Sequence, residues 1–144
     1  MIKILGFLII VASSAKIGFD FSEKYSNRTK ELKAFVNVLE RIRNEISFSN
    51  CVISDALIKA CDVKSRAVNN MIKLVSETVR EKGITLHEAF NTYIKMDNTS
   101  SLNSRDIEEI SRFFLMVGSG DREDEIKNIN NTIVNIKSNL QSAL

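Results

Sequence analysis

The sequence contains no proline and no tryptophan, and it has only five glycines among 144 residues. No glycine lies between Gly18 and Gly83, so the long stretch between them lacks both residues that break helices most readily. Its apolar residues recur at steps of three and four, which is typical of helices. We therefore predict an all-α fold, a helical bundle with long amphipathic helices preceded by a short N-terminal membrane helix.

Residues typical of catalytic and metal-binding sites are also scarce. The single histidine, His87, and the two cysteines, Cys51 and Cys61, stand at spacings that match no known ligand pattern. The chain has no glycine-rich phosphate loop and no nucleophile beside a base, and its acidic residues fall on polar helix faces. We therefore expect no metal, no cofactor and no enzymatic activity.

The chain also lacks a strong charge of one sign. Lysine and arginine total 20 against 18 aspartates and glutamates, which gives a net charge of +2. No basic stretch is interleaved with the eight phenylalanines and two tyrosines, as stacking platforms for bases require. We therefore expect no nucleic acid among its partners.

The amino terminus opens with an apolar run that is the candidate membrane anchor. Eleven residues from Ile2 to Phe21 are Ile, Leu, Val or Phe, worth about −5 kcal/mol of insertion free energy in total. Lys16 opposes insertion by about 3 kcal/mol at the midplane, but it lies toward one end of the run and can snorkel. We predict a transmembrane anchor over residues 1–21 and a soluble helical domain over 22–144. The anchor residues are Ile4, Leu5, Phe7, Leu8, Ile9, Ile10 and Val11.

A cleaved signal peptide is the alternative interpretation of this run, since Ala12-Ser13-Ser14-Ala15 has the small residues of a cleavage site. If the segment is retained, the distribution of basic residues sets its orientation. Only Lys3 and the amino terminus precede the run. Five basic residues lie near the other end of the run or after it, namely Lys16, Lys24, Arg28, Lys30 and Lys33. The soluble domain is therefore expected to face the cytoplasm.

Two heptad-like series of apolar residues mark the longest helices of the soluble domain. Ser47-Phe48-Ser49-Asn50 ends the first of these helices, and a shorter helix is expected around Ser54 to Ala60. Gly83 ends a later helix, and Thr85 with Glu88 forms a capping box for the next one. The two seams are Leu32, Phe35, Leu39, Ile42 and Ile46 in the first helix, and Ile126, Ile129, Ile133, Ile136 and Leu140 in the last.

The stretch Gly118-Ser119-Gly120-Asp121-Arg122-Glu123-Asp124 separates the last two helices. Its glycines stop the first helix, and Asp121 is placed to cap the second. Glu123 and Asp124 lie in the first turn, where the helix dipole favours negative charge. Arg122 opposes that dipole by about 0.3–1 kcal/mol, so either it is solvated or paired with a neighbouring acid, or it makes an ionic contact elsewhere. The candidate partner-binding residues are Gly118, Asp121, Arg122, Glu123 and Asp124.

The longer stretch Phe114-Leu115-Met116-Val117-Gly118-Ser119-Gly120-Asp121-Arg122-Glu123-Asp124-Glu125 resembles the LG-x-x-DREDQ element of the stage III sporulation protein AB family. Val117 and Glu125 stand where the family usually has Leu and Gln. The amino-terminal part is similar too, since a short hydrophobic segment runs into Ile17-Gly18-Phe19 and then into a basic helix. The resemblance extends over almost the whole chain. Members of the family usually continue into a second hydrophobic segment, which leaves open that this is an incomplete copy.

The resemblance implies a membrane-anchored structural or assembly component of the sporulation channel complex, a secretion-like assembly between mother cell and forespore. The family is similar to the inner-membrane platform proteins of type II secretion and type IV pili. Its soluble domain is expected in the mother-cell cytoplasm, held at the membrane that faces the forespore. The implied partners are the ATPase stage III sporulation protein AA and other channel proteins, and a homo-oligomer is also open. The alternative function is a secreted or soluble helical coiled-coil binding module with no secretion role.

Overall fold

The computed structural model describes residues 1–49, 51–61, 64–97, 100–118 and 120–142, and within these ranges the chain forms six α-helices and no strands. The all-α prediction is therefore confirmed. The helices are α1 (Ile2–Phe48), α2 (Ile53–Lys59), α3 (Arg66–Lys82), α4 (Leu86–Met96), α5 (Ser104–Met116) and α6 (Arg122–Ser142).

The first helix, α1, is continuous over 47 residues and about 70 Å long at 1.5 Å per residue. The expected membrane helix and the first helix of the bundle are thus one element, because no proline interrupts them and Gly18 alone does not stop the helix. None of residues 2–26 is buried. Among the residues described, α1 is the one helix long and apolar enough to cross a membrane, and its apolar window is wholly unburied. The membrane boundary at residue 21 stays a prediction.

From Arg28 onward, α1 is part of a closed circuit of helices. It packs against α6, which packs against α5; α5 contacts α4, α4 contacts α3, and α3 returns to α1. The short helix α2 packs against α1 and α3. Both apolar seams face the inside of this circuit. Their fully buried members are Leu32, Phe35, Leu39, Ile42 and Ile46 in α1 and Ile129, Ile133 and Ile136 in α6, while Ile126 and Leu140 are partly buried.

Four phenylalanines join α1, α4 and α5 in the middle of the core. Phe35 meets Phe113 edge to face with ring centroids 6.1 Å apart. Phe114 lies 5.0 Å from Phe90 and 5.2 Å from Phe113. Such pairs stabilise a core by about 0.5–1.5 kcal/mol beyond the burial of their area. The chain therefore fixes the α4–α5 pair against α1 by aromatic packing.

Three side-chain contacts show that α6 runs antiparallel to α1. Arg122 contacts Ser47, Arg43 donates to Asn130 at 2.9 Å, and Lys137 lies 3.5 Å from Glu40. The other end of α6 reaches Arg28, where Tyr25 and Ser142 line a shared cavity of about 210 Å³. We call the end of the bundle at Ser47 and Arg122 the distal end, and the end at Arg28 the proximal end. The proximal end is the one from which the free part of α1 emerges.

A candidate partner interface at the distal end

The turn between α5 and α6 is built by local hydrogen bonds. Gly118 has φ = 89°, a conformation that L side chains rarely adopt, and its amide donates to Glu125 Oε1 at 3.1 Å. Asp121 caps α6 as the sequence predicts, because its Oδ1 accepts from the amide of Asp124 at 3.0 Å. A Cβ at position 118 would lie 3.8 Å from Ile53 Cγ2, so this turn rests on the start of α2.

Arg122 makes a contact with another helix. Its Nη2 donates to the backbone carbonyl of Ser47 in the last turn of α1. Carbonyls at a helix C-terminus lack intrahelical donors and carry partial negative charge, so a cation there is favourable. The last turn of α1 has no basic residue of its own. Arg122 therefore supplies the positive charge that α1 lacks, which explains a cation at the unfavourable end of α6.

The two acids beside Arg122 are free to meet a partner. Glu123 and Asp124 are exposed, and within the described part of the chain neither carboxylate has a hydrogen bond or an ion pair. Both lie in the first turn of α6, where the helix dipole stabilises their charge. This turn therefore presents negative charge at the surface beside an arginine that is held in place.

Exposed apolar side chains lie next to the residues that the turn contacts and at the end of α5 just before it. Phe48 is 88% exposed and follows Ser47 directly, while Val52 is 65% exposed and precedes Ile53. Leu115 and Met116, in the last turn of α5, are also exposed. Large apolar groups beside charges are typical of interface anchors. In the sequence, Phe48 was identified only as part of a helix end, although its position off the seam of α1 was an available signal.

We name this surface the charged corner, and it comprises Ser47, Phe48, Val52, Gly118, Asp121, Arg122, Glu123 and Asp124. The predicted partner-binding residues all belong to it. Whether they bind a partner stays a prediction. Because α1 is continuous, the corner stands about 39 Å along the helix from residue 21 at 1.5 Å per residue. It is therefore the part of the bundle farthest from the candidate membrane segment along α1.

A buried ion pair ties α1 to α5 at the proximal end. Arg28 Nε and Nη2 donate to the two carboxylate oxygens of Asp106 at 2.6 and 2.9 Å. Asp106 is 0% exposed and also caps α5, since its Oδ2 accepts from the amide of Asn103 at 3.1 Å. Hydrogen bonding to Asp106 raises the pKa of the Arg28 guanidinium. The pair fixes α1 at the point where it enters the bundle.

Glu31, one turn further along α1, fixes the loop before α5. Its carboxylate accepts from Ser100 Oγ and from the amide of Ser101, both at 3.3 Å. Burial raises the pKa of Glu31 above its ordinary value of 4.5. Among the described residues, no three His, Cys, Asp and Glu side chains meet as metal ligands would.

Known proteins resemble the chain over most of its length. A family model described as stage III sporulation protein AB matches residues 3–144. Stage III sporulation protein AB of Bacillus subtilis (strain 168) is 20% identical over 139 residues, which cover 96% of this chain and 81% of that protein. A solved structure named stage III sporulation protein AB aligns with a TM-score of 0.72 at 17% identity, covering 83% of this chain and 94% of its own.

The solved structure shows a similar fold, whereas the family model matches the sequence over nearly the whole chain. The matched proteins are named as sporulation proteins, and none of these names describes an enzyme. The charged corner and the free segment of α1 both lie within the matched range. This chain therefore belongs to the stage III sporulation protein AB family and is a sporulation component.

Proposed function

We propose that this chain is a membrane-anchored assembly component of the sporulation channel complex between mother cell and forespore. In this role it is a platform for the ATPase stage III sporulation protein AA and for channel subunits. The observation that carries the proposal is the charged corner. There Arg122 contacts the end of α1, Glu123 and Asp124 are exposed beside it, and Phe48 and Val52 are exposed on the neighbouring segment. Its position at the distal end suits a partner that approaches from the cytoplasm.

The anchoring part of the proposal draws on α1. Its first 25 residues, from 2 to 26, contain no buried side chain, and their apolar run is long enough to span a bilayer of about 30 Å. Lys16 lies near the end of the run, and Lys24, Lys30 and Lys33 follow it. By the positive-inside rule they support a cytoplasmic, mother-cell location for the bundle. On this proposal the bundle is held at the membrane that faces the forespore.

The competing hypothesis of a coiled-coil module needs an apolar seam that is free to pair with a second copy. The seam residues Leu39 and Ile42 in α1 and Ile129 and Ile136 in α6 are each 0% exposed inside one chain. No seam residue of that kind remains for a partner in the described helices. This burial favours the platform over the coiled-coil module.

A pull-down of the tagged full-length protein from membranes of sporulating cells tests the proposal. The test variants are the charge reversal Arg122→Glu with Asp124→Lys, and separately Phe48→Ser. The matched control, Arg105→Glu with Glu108→Lys, makes the same reversal on exposed positions in the first turns of α5, at the proximal end. We expect the wild type and the control to recover the ATPase, and both corner variants to lose at least tenfold of it.

Each outcome has a separate meaning. Equal recovery from all four proteins would keep the platform but would remove the charged corner as its interface. Failure of the wild type itself to recover the ATPase from intact sporulating membranes would overturn the platform role. Fractionation of the chain as a soluble protein that begins near Lys16 would instead overturn the anchor.

A further inference from the structure

A second surface of the bundle is a groove along the exposed face of α1. It is an open groove of about 910 Å³, bounded by residues 27–44 of α1 on one side and by the start of α3 on the other. At 1.5 Å per residue the α1 wall is about 26 Å long. The groove is thus shaped to take an elongated segment that lies parallel to α1. We call it the basic groove, for the charges of its lining.

Four cations line the basic groove, and none of them has a partner among the residues that the structure describes. Lys30, Lys33 and Arg41 project from α1 and Lys64 from the segment before α3. All four are exposed, and within the described residues none forms an ion pair or a side-chain hydrogen bond. Exposed cations lined up along one groove attract a complementary row of anions.

The two acids in the groove are already used inside the molecule. Glu31 accepts hydrogen bonds from Ser100 and Ser101, and Glu40 lies 3.5 Å from Lys137 of α6. Neither is therefore available to neutralise the four cations. The lining is otherwise made mostly of small or amide side chains such as Asn37 and Asn44, which leave room for a backbone to approach.

The direction of the groove decides between a lipid surface and a protein segment. It follows α1 outward, so Lys30 lies about 14 Å and Arg41 about 30 Å along the helix from residue 21. The headgroup region on each side of a bilayer is only about 5–8 Å thick. A flat layer of anionic lipid therefore cannot reach Arg41, whereas a second helix that leaves the same membrane beside α1 runs along the whole groove.

We propose that the basic groove binds an acidic helix of a membrane-protein partner, a segment of about 18 residues that emerges from the same bilayer and lies beside α1. Carboxylates spaced three and four residues apart on that helix pair with Lys30, Lys33 and Arg41. This inference rests on the proposed function, because it assigns one class of channel subunit to a surface of the platform. It leaves the charged corner to the cytoplasmic partner.

Photo-crosslinking in sporulating cells tests this assignment. A photoreactive amino acid replaces Asn37, an exposed groove residue between Lys33 and Arg41, in the full-length protein, and the crosslinked peptide is identified by mass spectrometry. We expect a net acidic peptide from another membrane protein, within about 25 residues of its transmembrane segment. The reversal Lys33→Glu with Arg41→Glu should lower the yield of this adduct at least tenfold. The control Lys73→Glu with Arg80→Glu, exposed on α3, should leave it unchanged.

Other adducts would overturn the proposal. A lipid adduct, a second copy of this chain, a soluble protein, or a neutral or basic peptide would each assign the groove to a different occupant. No adduct from intact cells, or an acidic adduct that survives the Lys33→Glu, Arg41→Glu reversal, would also overturn it. The Lys33→Glu, Arg41→Glu protein should still recover the ATPase. If the expected acidic adduct is absent while the ATPase is recovered, this inference alone is refuted. A wild type that recovers no ATPase refutes the platform.

Discussion

At the scale of single residues, a buried ion pair between Arg28 and Asp106 joins α1 to α5. Both side chains are buried, and two hydrogen bonds join them in the bidentate geometry that arginine and carboxylates favour. Removing one partner of such a pair leaves an uncompensated charge in the interior. The loss of folding free energy on substitution therefore depends on how deeply the remaining charged partner stays buried.

We expect Asp106→Ala to lower the free energy of unfolding by about 3–5 kcal/mol, because Arg28 stays buried without a counter-charge and the capping box of α5 loses the acceptor of the Asn103 amide. Urea unfolding of the full chain in mild detergent measures this loss. The control is Arg112→Ala, which removes two exposed ion pairs and should cost less than about 1 kcal/mol. Equal losses from the two variants would show that burial of the pair contributes nothing.

Glu31 gives stability a defined dependence on pH. Because its pKa is raised in the folded state, the folded chain binds more protons than the unfolded chain as this group titrates. The contribution of Glu31 is thus fully present below the unfolded pKa and is lost as pH rises through the folded pKa. We expect the stability of the wild type relative to Glu31→Gln to fall as the pH rises through the range above about pH 4. Denaturant titrations of both proteins across this range measure the difference, and a difference that rises with pH would contradict it.

At the scale of the helices, the ends that depend on local chemistry could be predicted from the sequence. Gly83 ends α3 with φ = 65°, and the capping box of Thr85 and Glu88 begins α4 as expected. These features depend on residues at most four positions apart, so a single sequence contains all the information. Both seams were also identified, since a buried stripe repeats at the helical period.

The contacts between distant helices could not be predicted in the same way. Arg28 and Asp106 are 78 positions apart, and Arg122 and Ser47 are 75 apart. The sequence indicated that Arg122 was unfavourable for α6, yet it could not identify the end of α1 as the partner. Phe48 is off the apolar seam of α1, which is visible in the sequence, but its place beside Arg122 and thus in the candidate interface becomes evident only once α1 and α6 are packed.

The burial of the α6 seam can be tested by comparing a buried and an exposed position on the same helix. Ile129 is 0% exposed, whereas Val134 on the same helix is 65% exposed. We expect Ile129→Ala to cost about 2–5 kcal/mol of unfolding free energy, because it leaves a cavity between α6 and its neighbours. The control Val134→Ala should change stability by no more than about 0.5 kcal/mol. Thermal and urea unfolding of both variants measure this, and a small loss from Ile129→Ala would mean that the seam is not core.

At the scale of the whole molecule, α1 is both the candidate anchor and a wall of the core, with no break between the two parts. Residues inserted between positions 22 and 27 therefore turn the bundle about the helix axis by about 100° each and lift it by about 1.5 Å each. Two alanines turn it by about 200° and lift it about 3 Å, whereas four alanines turn it by about 40° net and lift it about 6 Å.

We expect the two-alanine insertion to lower the yield of heat-resistant spores more than the four-alanine insertion does, although it is shorter. Rotation turns the basic groove and the charged corner away from the partners proposed for them, and the shorter insertion rotates them farther. Spore counts from strains whose only copy is the inserted protein measure the effect, with immunoblots to confirm equal amounts. A loss that simply grew with insertion length would indicate that height above the membrane matters and that rotation does not.

The unbroken helix couples the rotation of the bundle to the rotation of the apolar part of α1 about the helix axis. The buried pair of Arg28 and Asp106 fixes α1 against α5 where the helix enters the bundle. On the proposed anchoring, the rotational setting of residues 1–21 in the bilayer therefore also sets the direction in which the basic groove and the charged corner face.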